Sequence, residues 1–158
     1  MNKQLINDAS KELSPKKIFI CSSNISVDED YDDSDVNQIN EIQTLKGTSH
    51  LNVEEFAPDS VNKDSPTFYI YNYFYNVGIR CTDESDESDE SDDIKVYFEI
   101  KAKFKVTYLS KVELEEECAA EFAKYNVGHT VWPYWREYVQ SSCQRLGIKN
   151  IDIPFYSV

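Results

Sequence analysis

Cysteine, histidine and clustered carboxylate are the side chains with the most latent chemistry in this chain, and none falls into a working arrangement. Cys21, Cys81, Cys118 and Cys143 are scattered without a C-x-x-C pair, so zinc-ribbon spacing is absent. They read as reduced, mostly buried thiols. His50 and His129 sit in no ligand pattern and beside no nucleophile of a recognisable motif. Asp28, Asp30 and Asp32 have the spacing of a calcium loop, but the glycine expected next is Asp33 and the twelfth position is Ile39 rather than Glu. A solvated acidic loop is the better reading. The glycines Gly47, Gly78, Gly128 and Gly147 form no phosphate-cradling run. Carboxylates in the acidic runs lack the burial that tunes an acid–base catalyst. The expectation is a protein that is not an enzyme and uses no metal or cofactor.

The other resource is aromatic surface: eleven Tyr, eight Phe and two Trp. Such rings give large contact area at low entropy cost and tolerate partial hydration. They concentrate in residues 67–80, the strongest strand signal of the chain. Tyr69, Tyr71, Tyr73, Tyr75, Val77 and Ile79 share one face; Phe68, Ile70 and Phe74 share the other, with Asn72 and Asn76. A strand apolar on both faces is either covered twice or offers an aromatic strip to a partner. Phe98, Phe104 and Phe122 read as core.

The formal charge of −13 is local. Residues 28–35 carry six acids and 83–93 carry eight, without a Lys or Arg; without those fourteen charges the chain would stand at +1. The second run contains an Asp-Glu-Ser repeat, too short for a solenoid and too charged to pack. Phosphate binding needs a basic surface, so nucleic acid is not expected as a partner. No apolar run resembles a signal peptide or a membrane span, which points to a cytoplasmic protein without a membrane partner.

The elements that must position these residues follow in order. Residues 1–15 read as a flexible N-terminus and 16–158 as a single domain, with acidic loops at 28–35 and 82–93. Strands are expected at 16–27, with an irregularity around Ser22, at 39–56, at 67–80 and at 94–109. The last alternates cleanly: Val96, Phe98, Ile100, Ala102, Phe104, Val106 and Tyr108 inward, against Lys95, Lys101, Lys103 and Lys105 outward with Glu99. Leu114, Cys118, Phe122 and Tyr125 have helical spacing. A long helix then starts with Pro133 in its first turn and stops at Gly147. Trp132, Trp135, Val139, Ser142, Cys143 and Leu146 form its apolar-to-small face. Strands followed by helices predict an α+β fold: a four-stranded antiparallel sheet, then a short and a long helix on one face.

The run from Tyr125 to Glu137, with Trp132-Pro133-Tyr134 and Arg136-Glu137 at its centre, then Arg145-Leu-Gly147 and Ile153-Pro154, resembles the SecB-like chaperones. Their first long helix opens with an aromatic-Pro-Tyr step followed by Arg-Glu. The resemblance follows the element order over roughly 16–154 and is specific over 122–154. It implies an ATP-independent holdase, a homo-oligomer (dimer or tetramer), that wraps unfolded or partly folded client protein in apolar grooves between sheet and helices. Carried over, the client-binding candidates are Phe68, Ile70 and Phe74, or Tyr69, Tyr71, Tyr73 and Tyr75, with Trp132 and Trp135. Val139, Ser142, Cys143 and Leu146 would pack within the assembly. Two departures stand out. Export members dock their translocase motor through an acidic sheet face, where this chain places lysines. The chain also stops before the usual last helix. Relatives that guard an antitoxin in toxin–antitoxin–chaperone systems tolerate both departures, so a dedicated client is expected over general preprotein export. A non-chaperone adaptor that kept the fold is the alternative.

Overall fold

The computed structural model describes residues 2–32, 34, 40–58, 66–83 and 94–157. Four strands, β1 (Ser14–Val27), β2 (Asn40–Phe56), β3 (Phe68–Asp83) and β4 (Val96–Ser110), form one antiparallel sheet in the order β1-β4-β3-β2. Three helices accompany them: α1 (Lys3–Glu12), α2 (Glu116–Tyr125) and α3 (Val127–Leu146). The expected α+β architecture is present, with α2 and α3 on one face of the sheet.

Register explains which residues face the helices. Tyr71, Tyr73, Tyr75, Val77 and Ile79 of β3 stand opposite Tyr108, Val106, Phe104, Ala102 and Ile100 of β4, and all ten are buried. Opposed residues in a sheet lie on the same side, so these two rows make one core layer. β1 switches parity midway: Ile18 and Ile20 share the helix side with Ile25 and Val27 because a bulge at Cys21 shifts the register. A second bulge, at Ser49, lets Lys46, Thr48, Leu51 and Val53 of β2 stay on that side.

Two sequence expectations are corrected. The N-terminal stretch is not a loose arm but α1, which packs on α2 and buries Ala9 and Leu13. The Asn2 side chain caps it by accepting from the N–H groups of Gln4 and Leu5. Pro133 is not in the first turn of the long helix. α3 begins six residues earlier, because Val127, Val131 and Trp132 are drawn into the core, and Pro133 lies on its exposed side. There its ring removes only one helical bond, to a residue that water can reach. The stop at Gly147 is as expected: its φ is +70°, a conformation that glycine adopts without a Cβ clash. Most of the second acidic run, residues 84–93, and residues 59–65 after Phe56 lie outside the described residues, whereas the first acidic run lacks only 33 and 35.

Candidate functional site

Residues 67–80 present two aromatic rows, and the structure separates them. Tyr71, Tyr73 and Tyr75 lie beneath the helices and their hydroxyls are engaged: Tyr71 accepts from the Leu114 N–H at 2.7 Å, Tyr73 donates to the Ala119 carbonyl at 3.2 Å, and Tyr75 meets the Tyr156 hydroxyl at 3.3 Å. Burial pushes all three phenols above their ordinary pKa, and for Tyr75 the bond to Tyr156 adds to the effect. Tyr71 and Tyr73 are therefore core in this chain rather than an exposed strip. Phe68, Ile70 and Phe74 occupy the opposite, helix-free face and are half-buried, as is Tyr69.

The long helix sorts in the same way. Trp135 is 1% exposed and stacks on Tyr138, so it too is core. Val139, Ser142 and Cys143 are buried within the chain, so this face packs inside the protomer instead of between copies; Leu146 is half-buried at its end. Trp132 lies at the margin, its Nε1–H donating to the Pro154 carbonyl at 2.7 Å.

What remains open on the helix side is a cleft of about 550 Å³ between β2 and α2. Leu51, Tyr75, Ala120, Ala123 and Tyr156 give it an apolar lining, and Lys46, Glu116 and Lys124 stand at its rim. Thr48 closes one side by donating its hydroxyl to the Ala123 carbonyl at 2.9 Å. The C-terminal tail supplies the far wall. Ile153 is buried, Tyr156 packs edge-on against Trp132 and His129, and the Lys46 ammonium sits 4.8 Å over the Tyr156 ring and reaches the Ser157 carbonyl. β2 is an edge strand, so its outward N–H and C=O groups have no neighbouring strand among the described residues. An apolar trough beside a free strand edge suits an extended chain: the edge can bond its backbone while the trough takes alternate side chains. The rim carries both signs of charge, so what the cleft chiefly offers is apolar burial.

Of the client-binding candidates read from the sequence, Tyr75 lines this cleft and Trp132 supports its tail wall, while the others lie elsewhere. Leu51, Ala120, Ala123 and Tyr156 went unnoticed. The run Ala119-Ala120 and Ala123 on a short helix, and the apolar tail after Gly147, are the signals that pointed to a close-packed margin there. Among the described residues, no group of three or more His, Cys, Asp or Glu side chains converges as a metal site would, and no helix is long and apolar enough to cross a membrane.

No protein-family model matches the chain, and no curated protein matches it in sequence. Among solved structures, it superposes on the Mycobacterium tuberculosis Rv1957 SecB-like chaperone in complex with a ChAD peptide from Rv1956 HigA1 antitoxin. The TM-score is 0.64 at 12% identity, covering 98% of each chain.

Proposed function

We propose that this chain, which has the SecB-like fold, is an ATP-independent chaperone of the holdase kind. It binds unfolded or partly folded protein, and its main client is a dedicated partner such as an antitoxin. The observation that carries this reading is the apolar cleft between α2 and the free edge of β2, lined by Leu51, Tyr75, Ala120, Ala123 and Tyr156. Burying two Leu-sized client side chains there contributes roughly 3–6 kcal/mol before the ordering of the client is subtracted. The solved neighbour holds an antitoxin peptide, which supports the client class. Lysines on the helix-free face of β4 favour a dedicated client over export, because among the described residues Lys101, Lys103 and Lys105 stand where the resemblance implies an acidic docking row for export.

The other free edge, β1, has Ile20, Ile25 and Val27 on its helix side at 36–39% exposure. Burial of that apolar strip against a second copy is the basis for a homo-oligomer, read as mass by sedimentation.

The test is light scattering from a chemically unfolded, unrelated protein diluted into buffer with the full chain. The expected result is suppressed aggregation without nucleotide, weakened about tenfold or more by Ala120→Glu, which puts a charge in the apolar cleft. An adaptor would leave aggregation unchanged. A pull-down from the native host then separates one small stoichiometric partner, the expected result, from a spread of export precursors.

A further inference from the structure

The helix-free face of the sheet lies opposite the cleft and has a charge pattern of its own. Two lysines of β4 and its approach meet carboxylates: Lys95 pairs with Asp28 and Asp30 at 3.5 and 3.0 Å, and Lys101 with Glu99 at 2.7 Å. Lys17, Lys103 and Lys105 meet none among the described residues. Register places them together on the helix-free side, Lys17 opposite Thr107 and Lys105 opposite both Phe19 and Phe74. Two of the three sit over aromatic rings. The Lys17 ammonium sits 5.0 Å over Phe19, which is 40% exposed, and the Lys105 ammonium 5.7 Å over Phe74.

Beside this row the sheet surface is dished. The hollow is about 370 Å³ and is walled by Ser22, Asn24, Asn76 and Lys103, with Leu45 at its edge, 55% exposed. Its polar walls are hydroxyl, amide and ammonium donors, and Lys101, whose charge Glu99 already meets, completes it.

We propose that this hollow and the adjoining Lys103–Lys105 row dock an acidic, extended segment of a partner protein. Carboxylates at alternate positions of an extended chain recur at roughly 6.7 Å, the same repeat as Lys103 and Lys105 on one face of β4. One carboxylate enters the hollow to meet Lys103 and the Asn76 and Asn24 amides, while its neighbours meet Lys105 and Lys17. Apolar side chains of the segment lie on Phe19 and Leu45. A nucleic acid fits less well. It brings a charge every ~1.7 Å along its axis, and the fourteen carboxylates of the two acidic runs repel it at long range. A short segment with few charges escapes most of that repulsion.

The test uses the full chain and fluorescence anisotropy with a labelled peptide of alternating Glu and Val, its Gln/Val counterpart and a deoxythymidine oligomer, at low and moderate salt. The acidic peptide is expected to bind saturably and more weakly as salt rises, the Gln/Val peptide and the oligomer hardly at all. Reversal of two charges by Lys103→Glu with Lys105→Glu weakens binding about tenfold or more, and Lys103→Gln with Lys105→Gln gives an intermediate loss should the reversal disturb folding. Amide NMR shifts on peptide addition fall at Asn76, Lys103 and Lys105. The proposal is overturned by equal binding of the Gln/Val peptide, by tighter binding of the oligomer, by no saturable binding, or by shifts at Leu51 and Ala120 instead. That last pattern would place the peptide in the cleft on the other face, so the two surfaces are read separately.

Discussion

Gly128 and Tyr156 offer a sharp test of how the C-terminal tail is seated. Gly128 is the second residue of α3, and the Tyr156 phenol lies across it. A Cβ at Gly128 would stand 2.5 Å from Tyr156 Cε2 and closer still to Cζ and Oη, so Gly128→Ala must expel the ring. Expulsion forfeits the contact with the Tyr75 hydroxyl and the edge contacts with His129 and Trp132, at 4.4 and 5.2 Å between ring centres. A half-buried aromatic side chain contributes roughly 1–1.5 kcal/mol by burial. Its ring contacts add about 0.5–1 kcal/mol. Alanine in place of glycine in a helix returns up to about 1 kcal/mol, and less near its first turn. The expected net effect is a loss of about 1 kcal/mol, opposite in sign to helix propensity alone. In a Tyr156→Ala background the three nearest obstructing atoms are gone, and the same substitution should stabilise. Urea unfolding of the four proteins of this cycle, read by circular dichroism, gives the coupling directly. A rise in the Gly128→Ala midpoint that is equal in both backgrounds would show that the ring does not rest on Gly128, and would remove one wall of the cleft.

Two further outcomes follow from buried polar groups. Tyr71, Tyr73, Tyr75 and Tyr108 have phenol pKa values raised by burial, so the folded state keeps protons that the unfolded chain releases above about pH 10. Their stabilisation is complete below that pH and is lost as pH climbs, at up to about 1.4 kcal/mol per pH unit for each phenol. Urea midpoints should therefore fall steeply above pH ~10, and a flat profile would mean these phenols are not buried. Ser142 is 1% exposed and its Oγ has no hydrogen-bond partner among the described residues, so Ser142→Ala should raise stability by about 0.5–1.5 kcal/mol in the same assay. A fall would mean that the hydroxyl is satisfied after all.

How much could be read in advance depended on whether solvent marked one side of an element. β4 was legible residue by residue because its lysines face water and its Phe98, Ile100 and Phe104 row faces the helices. β3 was legible as a strand but not as two faces. Tyrosine is at home both in a core and on a binding surface, and only the neighbours supplied by α2 and the tail decide which. α1 was missed because the stretch is polar apart from Leu5, Ile6, Ala9 and Leu13, of which Leu5, Ala9 and Leu13 recur every four residues. That four-residue spacing and the Asn2 cap are the marks of a short helix lying on a partner, and the partner is visible only in three dimensions. The cleft was illegible for the same reason. It joins β2, α2 and the tail, far apart in sequence, and its lining of Ala and Leu carries no motif.

The choice of tyrosine over phenylalanine for the helix-facing rows has a mechanical reading. Four hydroxyls reach four different points above the sheet: Tyr71 the chain entering α2, Tyr73 the carbonyl of Ala119 in the middle of α2, Tyr108 the Thr130 hydroxyl near the start of α3, and Tyr75 the tail through Tyr156. Apolar packing alone is non-directional and would let α2 and α3 slide on a smooth aromatic layer. Directional bonds at those points fix where each element lies, because any slide would leave a buried hydroxyl unpaired at about 1–3 kcal/mol. The cleft lies between two of these anchors, at Ala119 and Tyr156. Its width is thus set by the tyrosine row beneath it: Tyr73 holds α2, Tyr75 holds the tail, and the walls of the trough are in place before anything enters it.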